Sequence, residues 1–367
     1  MIKRLFNLIN PVLIVLMVIY LCPLKGLPQT TPENLLLKDY HPVSIYNIPK
    51  TDIKKAKYPI IDMHSHTYAR NAGQVDQWVK TMDEVGIEKT IILSMSVGAR
   101  FDSIYQAFAG KYPDRFEVWC GFDYSGYDKP GFGPAAVAEL ERCYKVGASG
   151  VGELGDKGKG LFYSRPVRAW GMHLDDPRMD PLLEKCGELK IPINIHVADP
   201  AWMYEKMDET NDGLMNAYQW RLDDQPDIVG HLGMINILEN AVKRHPNTIF
   251  IACHFANCSD DLNRLGKLFD KYPNLYADNS ARYAETATIP RFVAEFYQKY
   301  QDRIVYGTDM SFNPDMYRIT FRILESLDEH FYEFGQFSYH WSLYGLGLKD
   351  EVLKKVYRDN ALKIISH

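Results

Sequence analysis

The chain has 367 residues, of which 46% are hydrophobic and 24% are charged, and its formal net charge is −5. These values are ordinary for a globular protein that is long enough to bury a large core. The small negative charge argues against a nucleic-acid-binding surface, and we expect no nucleic-acid partner. The oligomeric state stays open.

The amino-terminal segment differs in character from the rest of the chain. Lys3 and Arg4 precede residues 5–21, which are almost wholly apolar. A positive flank before such a run is typical of a signal peptide or a membrane anchor, with the rest of the chain exported. We predict that residues 1–28 are this targeting segment, cleaved or retained in the membrane, and that the protein is periplasmic or faces outward from the membrane. Residues 29–57 are predicted to be a linker to the domain at 58–367.

Strand-like and helix-like segments alternate along this domain. The predicted strands are 60–64, 90–95, 116–122, 150–154, 193–197, 249–254, 275–278 and 304–307. The predicted helices are 75–85, 103–112, 134–146, 180–189, 238–244, 260–271, 289–300, 316–327 and 350–365. Such alternation predicts parallel pairing, and eight units fit an α/β fold of the (β/α)8, or TIM, barrel type. A doubly wound open sheet is the alternative, but no glycine-rich phosphate turn follows the first strand.

Two predicted loops are too long for simple turns. They follow the fourth and fifth strands, at 155–179 and 199–234. In a barrel, such loops lie over the active face and shape the substrate pocket. Their arginine and tryptophan residues are our candidates for binding a small-molecule substrate: Arg165, Arg168, Trp170 and Trp202.

Candidate metal ligands end several of the predicted strands. The first strand ends in Asp62-Met63-His64-Ser65-His66. Because alternate side chains of a strand share a face, His64 and His66 can reach the same ion. Imidazole suits zinc and related divalent metals. The fifth, sixth and eighth strands end in His196, His254 and Asp309. The carboxyl ends of barrel strands are where such folds place their chemistry.

These motifs together resemble the amidohydrolase superfamily, specifically the amidohydrolase-related branch that includes small-molecule decarboxylases. The resemblance covers about residues 58–366 and includes Tyr306-Gly307-Thr308-Asp309 and Asn360-Ala361. It implies that a divalent metal, with zinc the expected ion, is held by His64, His66, His196 and Asp309. It also implies that Asp309 moves protons. His254 is implied to be either a ligand of a second metal or a catalytic acid or base.

The number of ions depends on the end of the fourth strand. Members of the superfamily with two metals place a bridging carboxylated lysine or a glutamate there. Glu153, within 150–155, resembles this bridging glutamate. The alternative is a polar residue paired with a nearby cation. The sequence therefore predicts one or two ions.

We expect a metal-dependent hydrolase that uses activated water on an amide, lactam, lactone or ester of a small molecule. The first alternative is a non-oxidative decarboxylase, which needs a cation for the substrate carboxylate. Arg70, Arg100 and Arg282 are the candidates for this cation, and Arg282 is also assigned to substrate binding. The second alternative is a membrane-anchored barrel that binds metal without catalysis.

Overall fold

The computed structural model describes residues 31–163, 166–337 and 339–365. The targeting segment predicted at 1–28 and the candidate Arg165 lie outside these residues. The chain divides into two compact units, Met1–His41 and Pro42–His367. In the first, the described part contains a 3₁₀ turn at Leu37–Asp39. A search of the described residues for a helix of the length and hydrophobicity needed to cross a membrane finds none.

Eight parallel strands form a barrel in the second unit and confirm the predicted fold. In chain order the strands are β1 Ile60–Ser65, β2 Ile87–Leu93, β3 Phe116–Trp119, β4 Val151–Asp156, β5 Gly160–Leu161, β6 Ala169–Trp170, β7 Ile193–Val197, β8 Phe250–Ala252, β9 Leu275–Asp278 and β10 Ile304–Val305. Strands β5 and β6 form a separate antiparallel hairpin. The other eight pair in the order β1-β2-β3 and β4-β7-β8-β9-β10. A parallel bridge between Cys120 and Val151 joins these two sets, and the amide of Met63 closes the ring by donating to the carbonyl of Tyr306 over 2.9 Å.

Helices cover the outside of the barrel. In chain order they are α1 Ala72–Val85, α2 Gly98–Ala107, α3 Pro134–Val146, α4 Asp180–Leu189, α5 Leu214–Ala217, α6 His231–Arg244, α7 Leu262–Lys271, α8 Tyr283–Thr286, α9 Pro290–Lys299, α10 Pro314–Glu325, α11 Asp350–Lys354 and α12 Asn360–Ile365. Helix α7 is typical, because Leu262, Leu265 and Phe269 recur at helical spacing and are buried. Such an apolar stripe holds a helix against the strands.

The carboxyl-terminal helix closes one end of the barrel. Ala361 and Ile364 of α12 belong to a buried cluster with barrel residues that include Ile61 and Val305. The side-chain amide of Asn360 donates to the carbonyl of Ile304 over 2.8 Å. Since Ile304 is the first residue of β10, α12 lies at the end where the strands begin. The opposite end is left for the loops that follow the strands.

Several predicted boundaries were wrong. Helix α6 begins at His231 and not at residue 238, and three other differences have local reasons. Helix α2 begins at Gly98 instead of residue 103, because the Glu139 carboxylate accepts a 2.7 Å hydrogen bond from the Gly98 amide and caps the helix there. Strand β8 stops before His254, where the backbone becomes left-handed. The last predicted helix is interrupted by a π-helical turn at Lys355–Asp359, where the carbonyl of Val356 accepts from the amide of Tyr306.

Truncation of Ile364 should destabilise the barrel. We expect Ile364→Ala to lower the free energy of unfolding by about 2–5 kcal/mol, because it removes buried methyl groups and leaves a cavity. Ile45→Ala is the matched control, because Ile45 is 88% exposed and surface truncations typically change stability by about 0.5 kcal/mol or less. Urea unfolding measures both variants. Equal midpoints for the two variants would contradict the assigned role of α12.

Candidate metal centre

The ligands predicted from the strand ends meet at one end of the barrel. His64 and His66 leave β1, and Asp309 follows β10. The carboxylate oxygen Asp309 Oδ1 lies 3.0 Å from His66 Nε2 and 3.5 Å from His64 Nε2. These three residues can converge on one ion, and we call them the first ligand group.

A second ligand group lies beside the first. It consists of His196 at the end of β7 and His254 after β8. The distance between His196 Nδ1 and His254 Nε2 is 3.2 Å. Glu153 of β4 lies between the two groups. Its Oε1 is 2.8 Å from His196 Nδ1 and 3.6 Å from His254 Nε2, and its Oε2 is 3.4 Å from His66 Nε2. One carboxylate therefore faces both groups.

Left-handed backbone turns direct two of these ligands. Residues His254, Phe255, Ala256 and Asn257 have φ angles of 59°, 55°, 55° and 54°, and Asp309 has a φ of 56°. Non-glycine residues pay about 1–2 kcal/mol each for this conformation, and such strain clusters at functional sites. Hydrogen bonds hold the turn in place: Asp278 accepts from the His254 amide over 2.9 Å, and the Asn257 side chain donates to the carbonyl of Val197 over 3.0 Å.

Hydrogen bonds to the outer ring nitrogens orient three of the histidines. The Nδ1 atoms donate as follows: His64 to Asp278 at 2.8 Å, His66 to the carbonyl of Leu93 at 2.9 Å, and His254 to the carbonyl of Ser280 at 3.0 Å. Each bond fixes a proton on Nδ1 and points Nε2 at the centre, which is the orientation of metal-bound histidines. His196 has the opposite orientation and presents Nδ1.

The donor set fits a divalent ion. His64 Nε2 is buried and has no hydrogen-bond partner in the structure. Burial would raise the pKa of the Glu153 carboxyl, but hydrogen bonds from His196, His254 and His66 hold it well below its usual value. Burial would lower the pKa of His64, but the charges of Asp278 and Asp309 raise it to about 9. Imidazole and carboxylate groups are zinc-type ligands, and a dication here would supply the positive charge that the carboxylates otherwise draw from the histidines.

Asp62 braces this arrangement from outside the ligand groups. Its carboxylate accepts from the amide and hydroxyl of Thr308 over 3.0 Å and 2.7 Å and from the His64 amide over 3.2 Å. It thereby ties β1 to the chain that follows β10. Gly307 has a related role, because a Cβ atom at this position would lie 2.6 Å from His64 Cβ.

Some residues of the centre were missed by the sequence reasoning. Asp278 ends β9, so the strand-end argument could have found it. Cys253 was not among the predicted ligands, but its Sγ and one ligand atom each of His64, Glu153 and His254 all lie within 4.8 Å of one another. Its thiol donates to Asn194 over 2.8 Å. No sequence signal points to Tyr68, whose hydroxyl donates to Asp309 Oδ1 over 3.3 Å.

A cavity of about 890 Å³ opens over the centre, and its wall includes Arg168 and Arg282. Trp170 and Trp202 do not line this cavity. Trp170 is 48% exposed and stacks on the lining residue Phe162. Arg70 and Arg100, the alternative cations, are exposed and also lie outside the cavity wall.

The wall of the cavity also contains residues from a third loop. Trp202 packs against Tyr339, which lines the cavity together with Gln336 and Phe337. These residues follow α10. The sequence reasoning considered only the loops after the fourth and fifth strands and therefore missed them.

Comparison with known proteins agrees with this geometry. The sequence pattern of the amidohydrolase family matches residues 61–365. This chain belongs to the amidohydrolase family. No match was found among functionally curated proteins.

Solved structures share the fold of this amidohydrolase. An uncharacterized TIM-barrel protein from Bordetella bronchiseptica is 16% identical with a TM-score of 0.55, and the match covers 84% of this chain and 98% of that chain. The 2,6-dihydroxybenzoate decarboxylase from Rhizobium is also 16% identical, with a TM-score of 0.52 and coverage of 84% and 99%.

A side chain at Gly307 should displace His64 and weaken metal binding. We expect Gly307→Ala to bind zinc at least about tenfold more weakly, in line with the 10–100-fold typical of changes around metal ligands. Gly230→Ala is the matched control, because a Cβ atom there meets no atom within 4 Å. Competition with a chelator gives both affinities, and circular dichroism checks the fold. Equal zinc affinity in the two variants would mean that His64 is not a ligand.

Proposed function

We propose that this amidohydrolase is a metal-dependent hydrolase of an ester, lactone, lactam or amide bond in a small molecule. The observation that carries the proposal is the position of Glu153. Its Oε2 faces His66 in the first ligand group, and its Oε1 faces His196 and His254 in the second. A bridging carboxylate of this kind suits two ions, and paired ions are common in hydrolytic sites.

The residues that would hold the ions are those of the two ligand groups. The first group, His64, His66 and Asp309, would hold one ion, and the pair His196 and His254 would hold the other, with Glu153 shared. Nitrogen and carboxylate ligands of this type favour zinc. When bound, such ions polarise a carbonyl group and make water more acidic.

Asp309 is the residue best placed to move a proton. Its side chain is 23% exposed, whereas those of Glu153, His64 and His254 are at most 5% exposed. Its Oδ1 faces His66 and accepts from Tyr68, and its Oδ2 lies 3.6 Å from His254 Nε2. Asp309 can therefore take a proton from water as that water attacks the carbonyl carbon. The same proton then passes to the leaving oxygen or nitrogen.

The cavity supplies a polar contact for the substrate beside this centre. Arg282 lines the cavity, and its Nε and one terminal nitrogen donate to Asn257 Oδ1 over 3.0 Å and 2.6 Å. The Glu285 carboxylate lies 3.4 Å from the other terminal nitrogen. These contacts hold the guanidinium in a fixed orientation, so that it can position an anionic or carbonyl group of the substrate.

Loss of the Asp309 base should reduce turnover more than metal content. We expect Asp309→Asn to lower turnover by about 10²–10⁴-fold, because an amide oxygen can ligate but cannot accept the proton. Metal content should fall less than in His64→Ala. The assay is hydrolysis of a panel of lactones, aryl esters and anilides by the zinc-loaded enzyme. Asp315→Asn, on the surface of α10, is the control. If Asp309→Asn keeps near-normal turnover with metal bound, Asp309 is not the base, and His254 becomes the leading candidate for that role.

The proposed bridge predicts an ion count. Metal analysis of the wild-type protein should find two ions per chain, and Glu153→Gln should retain about one. A neutral amide is a poor bridging ligand and does not offset the repulsion between two dications. Glu117→Gln is the control, because Glu117 lies on β3 and pairs with Lys89 over 2.8 Å. One ion in the wild-type protein would contradict the two-ion hydrolase.

A decarboxylase is the second candidate, and Arg282 is the observation that favours it. A buried guanidinium on the cavity wall suits a carboxylate substrate, and one ion is enough to orient such a substrate. Carbon dioxide release from a panel of hydroxylated aromatic acids, by protein that holds a single ion, would support this candidate over the hydrolase.

A further inference from the structure

His196 has a carboxylate on each ring nitrogen. Its Nδ1 lies 2.8 Å from Glu153 Oε1, inside the metal centre. Its Nε2 lies 3.1 Å from Asp199 Oδ1, outside the centre. The other three histidines of the centre face inward through Nε2. The ring of His196 is therefore turned the other way, and Asp199 is the group on its outer side.

Asp199 is held in place from several directions. It is buried, and its Oδ2 lies 2.9 Å from the ammonium of Lys157. Its backbone amide donates to the hydroxyl of Tyr204 over 3.2 Å. The preceding residue, Ala198, has a left-handed φ of 61°, and its amide donates to the carbonyl of Asp156 over 2.9 Å. These contacts fix the carboxylate against His196.

The position of the ring proton decides whether His196 can ligate. A neutral imidazole has one N–H and one lone pair. Asp199 and Glu153 can both only accept, so they compete for the single proton of a neutral ring. Asp199 draws this proton to Nε2 and leaves the Nδ1 lone pair available to an ion. Without the charge of Asp199, the proton could equally lie on Nδ1 and donate to Glu153, and no lone pair would then face the ion.

We propose that Asp199 is a positioning residue that assigns Nδ1 of His196 to the second metal ion, and that Lys157 opposes it. This inference rests on the proposed function, because it concerns the ion held by His196. The carboxylate of Asp199 both selects the proton position and adds negative charge near a dication. The same arrangement, a carboxylate on the outer nitrogen of a ligating histidine, tunes metal affinity in other proteins.

Lys157 should affect metal affinity in the direction opposite to Asp199. Its ammonium pairs with Asp199 and also lines the substrate cavity. A positive charge at this position partly neutralises Asp199 and repels a cation in the centre. Removal of that charge should therefore strengthen metal binding, whereas removal of the Asp199 charge should weaken it. A role for Asp199 in folding alone would not produce opposite effects.

The experiment compares four full-length proteins: wild type, Asp199→Asn, Lys157→Met and Asp180→Asn. Asp180 is the matched control, because its carboxylate lies 3.0 Å from His245 Nε2, remote from the cavity. Zinc affinity is measured by chelator competition, and the visible absorption of cobalt-loaded protein reports the ligand geometry. Thermal melting shows that each variant is folded.

We expect Asp199→Asn to weaken the more loosely held zinc ion by about 10–100-fold and to change the cobalt spectrum. Lys157→Met should strengthen the same ion several-fold, and Asp180→Asn should match the wild type. If Asp199→Asn does not fold, the Lys157→Met result decides. Unchanged zinc affinity in Lys157→Met, or in folded Asp199→Asn, overturns the proposal.

The ion count separates this inference from the proposed function. If the wild type holds one ion and Asp199→Asn weakens it, the positioning role stands and the two-ion hydrolase fails. If the wild type holds two ions and Asp199→Asn retains both with unchanged affinity, the hydrolase stands and the positioning role fails.

Discussion

The hydrogen bonds between the first barrel strand and the segment that follows the last strand are the constraint on which the centre depends. The amides of Thr308 and Asp309 donate to the carbonyl of His64 over 3.2 Å and 2.9 Å, and the Asp62 carboxylate accepts from Thr308. These bonds close the barrel, and they place ligands separated by more than 240 residues within 3.0–3.5 Å of each other. The π-helical turn supports this seam through Val356, and helix α12 supports it through Asn360.

The balance of charge in the centre follows from this closure. Glu153 and Asp278 are brought into buried positions beside histidines, and Asp309 into a partly buried one. Buried carboxylates are costly unless a positive charge or several hydrogen-bond donors accompany them. Here the donors are the imidazoles, whose outer nitrogens are already committed to Asp278, Leu93, Ser280 and Asp199. The fold therefore brings imidazole nitrogens and carboxylate oxygens together at one point, and these are ligand types that hold a divalent cation.

The loops determine what can reach this site. The β5–β6 hairpin brings Phe162 and Arg168 to the cavity, and the chain after α10 adds Gln336, Phe337 and Tyr339. None of these residues follows from a strand-end rule, because loop residues are placed by contacts with other loops. The barrel fold is shared with other solved structures, whereas these loops form the wall of the cavity.

The sequence by itself determined the repeating architecture and most of the ligands. Periodicity of two in strands and 3.6 in helices placed β1, β7 and α7 close to their observed bounds, and parallel strands bring their carboxyl ends to one edge. Tertiary structure alone decided the rest. The left-handed turn at His254–Asn257 and the hydrogen bond that Val356 accepts from Tyr306 both depend on partners distant in sequence. The same holds for three contacts in the centre. They are the approach of the Cys253 thiol to the ligands, the contact of Tyr68 with Asp309, and the direction of the His196 ring. The local pattern of the sequence determines which face of a strand or helix a side chain takes, but a ring orientation is set by atoms that only the closed barrel brings together.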